Sequence, residues 1–230
     1  MHTARDIPGH PSQRRWSSSM TSTFPDISLS TDRLVLRALD EDDIPALAAM
    51  MNDELVAAWT AVPQPYTEDA ARTWVTAYAP TERIAGRGLD LAVTEFLTQR
   101  LVGIVQLGHT NWRVRSTEIS YIVASWARGE GYASEAALAT ARWLFEDQKF
   151  ERLELRTAAG NTASQQVAQK IGCISEGVLR NACIARTRAD DGGWTDVRTD
   201  QILWSLLPED LDGPPARTVD ANGFAYPEWN

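Results

Sequence analysis

Residues 117–136 read TEISYIVASWARGEGYASEA. This segment begins as a strand, passes through a turn that contains Gly129 and Gly131, and continues as a helix. Glycine allows a backbone to approach a ligand closely, and the N-terminus of a helix offers free N–H groups and a partial positive charge. The segment is therefore a candidate anion-binding site.

Three interpretations of this turn compete. It can be an ordinary strand-to-helix turn without a ligand. A dinucleotide fingerprint would need glycine at positions 129, 131 and 134, but position 134 is Ser134 and the segment lies midway along the chain. The third interpretation is a pyrophosphate loop of the form R-x-x-G-x-A, made by Arg128, Gly131 and Ala133.

The residues around this segment predict a mixture of hairpins and helical crossovers. Alternating apolar residues and turn signals predict strands at 33–37, 89–96, 100–109, 116–124, 152–158, 174–188 and 194–207. Cap residues and helical spacing predict helices after Asp40, from Thr67 to Tyr78, from Ala133 to Asp147, and from Thr162 to Ile171. The stretch between the first two helices, with Trp59 and two prolines, is predicted as a loop. This order predicts an α+β domain with a mixed sheet.

The domain is expected at residues 27–207. Residues 1–26 are rich in Ser, Pro, Thr and Arg without periodicity, which predicts a disordered leader. Residues 208–230 contain four prolines and scattered acids, which predicts an irregular extension.

Composition excludes several classes of protein. The 230 residues carry 22 Lys and Arg against 31 Asp and Glu, a net charge of −9, which argues against a nucleic-acid partner. No apolar run is long enough for a membrane span, and the N-terminus has no secretory signal, so a cytoplasmic protein without a membrane partner is expected. With only Cys173 and Cys183, neither a disulfide framework nor a metal site is expected.

Further motifs support the third interpretation of the turn. Residues 161–173 read NTASQQVAQKIGC, and residues 176–180 read EGVLR. Residues 31–37 read TDRLVLR, and the final predicted strand ends in LWSLL at 203–207. In this order, the motifs resemble the GNAT superfamily of CoA-dependent N-acyltransferases, within it the RimJ/RimL-like branch that acetylates the N-termini of ribosomal proteins. The resemblance covers residues 30–207.

The resemblance implies a fold and a cofactor site. The fold would be a mostly antiparallel seven-stranded sheet flanked by about four helices, with a splayed gap between the fourth and fifth strands. Acetyl-CoA would be the co-substrate, and its pantetheine arm would lie in that gap. The residues that match the family's cofactor-binding positions are Ile122, Val123, Arg128, Gly129, Glu130, Gly131, Tyr132, Ala133, Ser134 and Asn161.

The resemblance also gives two candidate catalytic residues. An amine attacks a thioester only as the neutral base, so a nearby carboxylate can take its proton. Glu118 matches a position where the family often has such a base, with an exposed strand carboxylate as the alternative. Ser164 matches the hydroxyl that protonates the leaving thiolate, with an ordinary helix-face hydroxyl as the alternative. The later Tyr that many GNAT enzymes use for this step is absent from Val167–Lys170, and Cys173 stands where the family usually has Phe.

The sequence thus predicts an acetyltransferase that acts on a primary amine, either a peptide N-terminus or a small molecule. Transfer would be direct within a ternary complex and would need no metal. A CoA-binding sensor without turnover and transfer of a larger acyl group, such as succinyl, are the alternatives. A homodimer is expected by analogy with GNAT relatives. Candidate residues for an acceptor pocket, with plain packing as the alternative, are Trp59, Tyr66, Trp74 and Trp112.

Overall fold

The computed structural model describes residues 22–190, 192–212, 218–219 and 225–226. Most of the strands in these residues belong to one eight-stranded sheet, which has the order β1-β2-β3-β4-β5-β6-β8-β7. Its strands are β1 (Ser28–Ser30), β2 (Leu34–Ala38), β3 (Leu89–Glu95), β4 (Leu101–Asn111), β5 (Ser116–Val123), β6 (Arg152–Ala158), β7 (Ile174–Arg188) and β8 (Trp194–Leu206). Two short strands, β9 (Thr218–Val219) and β10 (Ala225–Tyr226), pair separately.

Neighbouring strands of the sheet run antiparallel except β5 and β6, which run parallel. A parallel pair needs a crossover connection, and a helix between β5 and β6 supplies it. The predicted α+β class with a mixed, mostly antiparallel sheet is therefore confirmed. The sheet has eight strands instead of seven because the short β1 pairs with β2.

The helices differ from the prediction near the N-terminus. The described helices are α1 (Ile44–Met51), α2 (Glu54–Trp59), α3 (Glu68–Thr73), α4 (Ala79–Ile84), α5 (Tyr132–Glu146) and α6 (Thr162–Lys170). The predicted helix that ended at Tyr78 continues through a π-helical turn into α4. The predicted loop around Trp59 contains α2, because the Asp53 side chain accepts hydrogen bonds from the N–H groups of Leu55 and Val56 and so caps a helix.

Helices cover both faces of the sheet. The first turns of α5 share a small apolar cavity with Val105 and Tyr121, so α5 lies on the face to which these side chains point. The segment that leads into and through α4 lies over Asp90 and Gln106, which occupy the opposite face because successive strand residues alternate. Helices thus lie on both faces of the central strands, with α5 and α6 on one face, whereas most residues of β7 are exposed.

The core begins before the predicted domain boundary. Phe24 is buried, and its ring centroid lies 5.0 Å from that of Trp112 and 6.0 Å from that of Phe150. At the other end, Asp210 is buried and accepts a hydrogen bond from the N–H of Leu207. The predicted leader up to residue 21 and most of the predicted extension after residue 212 lie outside the described residues. None of the described helices is long and apolar enough to cross a membrane.

Candidate active site

The parallel pair β5–β6 opens into a gap. The two strands pair only from Ser116 to Glu118, against Arg152 to Glu154. From Ile119 to Val123, β5 pairs with β4 on one side and has no described strand partner on the other. Such a free edge can accept an extended ligand as an added strand. The predicted cofactor positions Ile122 and Val123 lie on this part of β5.

The gap leads to the glycine turn at the N-terminus of α5. Gly129 has φ 86° and Gly131 has φ 81°, values in the left-handed region that favours glycine. Gly131 is the N-cap residue, and α5 begins at Tyr132. The first turn of the helix, which includes Ala133 and Ser134, leaves N–H groups without intrahelical partners. Together with the helix dipole, these groups suit a phosphate.

Several polar groups of this loop, two of them in side chains, already have partners in the protein. The guanidinium of Arg128 forms an ion pair with Asp53, the cap of α2. The Tyr132 hydroxyl donates a hydrogen bond to Oε1 of Glu95 at 2.9 Å. The carbonyl of Glu130 accepts a hydrogen bond from Arg33 at 3.1 Å. An anion at this loop would therefore meet main-chain N–H groups rather than the Arg128 side chain.

Two further cations lie beside the loop. A Cβ added to Gly131 would stand 3.2 Å from Nζ of Lys170 and 3.8 Å from Nη2 of Arg33. Arg33 is held there by Glu135 in the first turn of α5, with Nε 2.8 Å from Oε2. The motif TDRLVLR thus supplies a residue beside the loop, and α6 supplies a second one from its last turn.

The start of α6 lies across the gap from β5. Asn161 caps α6, and its Oδ1 accepts a hydrogen bond from the N–H of Ser164 at 3.1 Å. The Tyr121 hydroxyl donates to the carbonyl oxygen of Ser164 at 2.9 Å and lies 3.1 Å from its Oγ. Burial raises the pKa of Tyr121 well above its usual range, so this hydroxyl stays protonated. Ser164 is thereby fixed beside the gap.

The opposite face of the sheet holds a cavity of about 510 Å³ between α4 and strands β3 to β5. Glu118 and Ser120 line it from β5, and Asp90 and Gln106 line it from β3 and β4. Glu118 and Tyr121 are three residues apart in one strand, so their side chains leave the sheet on opposite faces. The two candidate catalytic residues therefore approach the gap from different sides, Glu118 from the cavity and Ser164 from α6.

The environment of Glu118 would favour its carboxylate as a proton acceptor. Burial raises the pKa of Glu118, while the positive charge of Arg156 opposes that rise. Arg156 Nε lies 3.1 Å from Oε2 of Glu118. A carboxylate with a raised pKa is a stronger base than an ordinary glutamate, and such groups cluster at functional sites. This position is half-buried and lines the cavity, unlike the exposed strand carboxylate that was the alternative.

Some candidate pocket residues reach the cavity wall and others do not. Trp74 donates from Nε1 to Oδ2 of Asp90 at 2.7 Å, so it contacts a residue that lines the cavity. Trp112 instead packs in the aromatic cluster around Phe24 and donates to the carbonyl of Gly86. In the described part of the chain, no group of three or more His, Cys, Asp or Glu side chains is arranged to hold a metal ion.

Sequence reasoning missed Tyr121, Asp90 and Lys170. Asp is depleted in strands, so an Asp between Leu89 and Leu91 in a predicted strand was a usable signal. The contact between Tyr121 and Ser164 spans 43 positions and had no local signature.

The chain is similar to known proteins in sequence and in fold. The family profile described as Acetyltransferase (GNAT) domain matches residues 33–174. YkkB, an uncharacterized protein of Bacillus subtilis, is 34% identical over 149 residues, which make up 63% of this chain and 83% of YkkB.

Two solved structures share the fold. Mycobacterium smegmatis RimJ in complex with CoA-disulfide is 24% identical with a TM-score of 0.65, and the match covers 77% of this chain and 83% of that one. RimL, a ribosomal L7/L12 alpha-N-protein acetyltransferase in complex with coenzyme A, is 19% identical with a TM-score of 0.69. That match covers 81% of this chain and 100% of RimL.

The family profile spans more than half of the chain, from β2 to the start of β7, and includes the gap, the glycine turn and α6. The chain therefore belongs to the GNAT acetyltransferase family.

Proposed function

We propose that this chain transfers the acetyl group of acetyl-CoA to a primary amine, either a peptide N-terminus or a small-molecule amine. The observation that carries the proposal is the gap between β5 and β6, which leads to a glycine turn at the start of α5. An extended arm with a phosphate group at one end fits this combination of a free strand edge and free N–H groups.

The residues present suit each part of acetyl-CoA. The edge of β5 at Ile122 and Val123 would pair with the pantetheine arm. The N–H groups from Gly129 to Ser134 would bind the pyrophosphate, and Lys170 would add positive charge beside it. The charge of Arg33, which also lies there, is balanced by Glu135. Asn161 would reach the arm from the start of α6, where its Oδ1 already holds the N–H of Ser164.

Residues on opposite sides of the gap would carry out different steps of the reaction. Glu118 would take the proton of the acceptor ammonium, directly or through a water molecule, so that the nitrogen can attack the thioester carbon. A backbone N–H near Val123 would stabilise the oxyanion. As the C–N bond forms and the C–S bond breaks, the attacking nitrogen would release its second proton to solvent, and the Ser164 hydroxyl would donate a proton to the departing thiolate and recover one from solvent. Positioning the two substrates together would supply much of the rate.

RimL, which shares the fold, is a ribosomal L7/L12 alpha-N-protein acetyltransferase, and this supports a peptide N-terminus as one acceptor class. The cavity beside Glu118 offers space for an amine acceptor, but it does not determine the size of that acceptor. Direct transfer is favoured because neither cysteine lines this cavity: Cys173 follows α6, and Cys183 lies on β7.

The test is to incubate the protein with acetyl-CoA and a panel of peptides and small amines, and to follow free thiol and acetylated product together. Acetylated amine formed in step with free thiol is expected. Tight CoA binding without turnover on any acceptor would favour the sensor instead, and preferential use of succinyl-CoA would correct the acyl group.

A further inference from the structure

We propose that Asp90 determines acceptor specificity by binding a second cationic group on the amine that is acetylated. The inference rests on the proposed function, because it concerns the acceptor side of the same site. It narrows the acceptor to amines that carry another positive charge at a distance from the reacting nitrogen.

Asp90 and Glu118 lie toward different ends of one cavity. Asp90 on β3 pairs with Gln106 on β4, which pairs with Ser120 on β5, so these three side chains share a row on one face of the sheet. Glu118 occupies the next row of β5 on the same face. With strands ~4.8 Å apart and a rise of ~3.4 Å per residue, the two Cα atoms are about 12 Å apart. An acceptor whose amine lies at Glu118 can therefore extend toward Asp90.

Two neutral donors hold the carboxylate of Asp90 in place. Trp74 Nε1 donates to Oδ2 at 2.7 Å, and Gln106 Nε2 donates to Oδ1 at 3.0 Å. A carboxylate has about four acceptor sites, so two remain after these bonds. Because the donors come from α3–α4 and β4, the orientation of Asp90 is fixed before any ligand arrives.

Asp90 differs from the other carboxylates of the cavity in having no cationic partner. Glu118 pairs with Arg156, and Glu82 pairs with Arg87. None of the basic side chains that the structure describes forms an ion pair with Asp90, and burial raises its pKa although both hydrogen bonds oppose the rise. A buried carboxylate without a counter-charge is costly. A cationic group on the acceptor would supply that counter-charge.

The wild-type test compares acceptors that differ in one charge. Diaminobutane, diaminopentane and diaminohexane are each compared with the amino alcohol of the same carbon chain, and kcat/KM is measured by thiol release. A charged hydrogen bond predicts that at least one diamine exceeds its amino alcohol about tenfold or more. A second arm compares a peptide with Lys at its second position against the same peptide with norleucine, which distinguishes a basic peptide from a small diamine as the source of the cation.

The variant test uses Asp90→Asn, with Glu82→Gln as the matched control in the same cavity. Asp90→Asn should bring the ratio of diamine to amino alcohol close to one, mainly through KM for the diamine. Glu82→Gln should retain the preference, because that charge is already paired with Arg87. If the amide introduced by Asp90→Asn conflicts with the indole N–H of Trp74, the double variant Asp90→Asn with Trp74→Phe removes the conflict.

These experiments distinguish a failure of the role proposed for Asp90 from a failure of acetyl transfer. Equal use of charged and neutral acceptors by the wild type in both arms would overturn it, as would a variant that lowers both acceptors equally. Acetylation restricted to amines without a second charge would also overturn it, while leaving acetyl transfer intact. A thermal shift with acetyl-CoA that matches the wild type shows that each variant is folded.

Discussion

The Tyr121 hydroxyl lies 3.1 Å from Oγ of Ser164, so the start of α6 contacts β5 beside the gap between β5 and β6. The same hydroxyl donates to the carbonyl oxygen of Ser164 at 2.9 Å. These contacts hold the start of α6 against β5 at the place where β5 and β6 diverge. They also make Tyr121 a positioning residue for Ser164.

Ser164→Ala should lower kcat about tenfold while KM for acetyl-CoA changes little. By analogy with a cysteine thiol, whose pKa is about 8.5, the thiolate can also leave without a proton donor. Tyr121→Phe should lower kcat by less. If Tyr121 acts only through Ser164, the double variant should be no slower than Ser164→Ala. Thr162→Ala, at an exposed hydroxyl of the same helix, is the control and should match the wild type. Additive losses in the double variant would give Tyr121 an independent role.

Glu118→Gln should lower kcat/KM most where the acceptor is an ammonium, and activity should recover above the pKa of the acceptor amine. Burial raises the pKa of Glu118, so the wild type should lose activity as the pH falls through that raised value. The variant should lack this acidic limb. The measurement is kcat/KM against pH.

Glu154→Gln is the control for that profile, since Glu154 pairs with Glu118 in the sheet and also contacts Arg156. It should retain the acidic limb at a slightly lower pH, because the charge of Glu154 raises the pKa of Glu118. Identical profiles for Glu118→Gln and the wild type would remove Glu118 as the base.

Gly131→Glu should weaken CoA binding more than Gly131→Ala. Both variants carry the strain of a side chain at φ 81°, but only Glu adds a negative charge beside Lys170 and Arg33. We expect a loss of about tenfold or more in affinity for the Glu variant relative to the Ala variant. Calorimetry measures both, and equal affinities would show that the phosphate does not lie at this loop.

Asp53→Asn should destabilise the fold by about 1 kcal/mol at neutral pH, since Asn still caps α2 but no longer pairs with Arg128. Burial raises the pKa of Asp53, but Arg128 and the N–H groups of α2 outweigh it, so the folded pKa lies below the usual value. The stabilisation is therefore complete above the ordinary pKa of Asp and is lost as the pH falls through the lowered one.

Urea unfolding at neutral and acidic pH checks this prediction. The difference between Asp53→Asn and the wild type should shrink at acidic pH. Arg128→Met should cost a similar amount, and the double variant should cost little more. A difference that is independent of pH would show that the ion pair does not stabilise the fold.

Local patterns predicted most of the strands and the glycine turn because those depend on alternation and on turn residues. They failed at α2, where the Asp53 cap outweighed the nearby prolines. The pattern also suggested Arg128 as part of a phosphate loop, yet its side chain pairs with a residue 75 positions away. Such a partner is set by tertiary packing and has no signature near Arg128.

The sequence indicated only part of the candidate site, because several of its contacts depend on tertiary packing. The family motifs placed Glu118 and Ser164, but only the sheet register shows that they approach the gap from opposite faces. Its position in a strand marks Asp90 as unusual, but its contacts with Trp74 and Gln106 come from other elements and have no local signature. Lys170 likewise acquires its place beside Gly131 only when α6 packs near the start of α5.

The central claim is that the gap and the glycine turn bind acetyl-CoA, and a thermal-shift titration tests it most directly. Acetyl-CoA, NADH and ATP are titrated separately against the full chain. At about 100 times Kd, one-site binding of acetyl-CoA should add ~2.7 kcal/mol to the free energy of unfolding, and NADH should add little. No shift with acetyl-CoA, or a larger shift with NADH, would contradict the account.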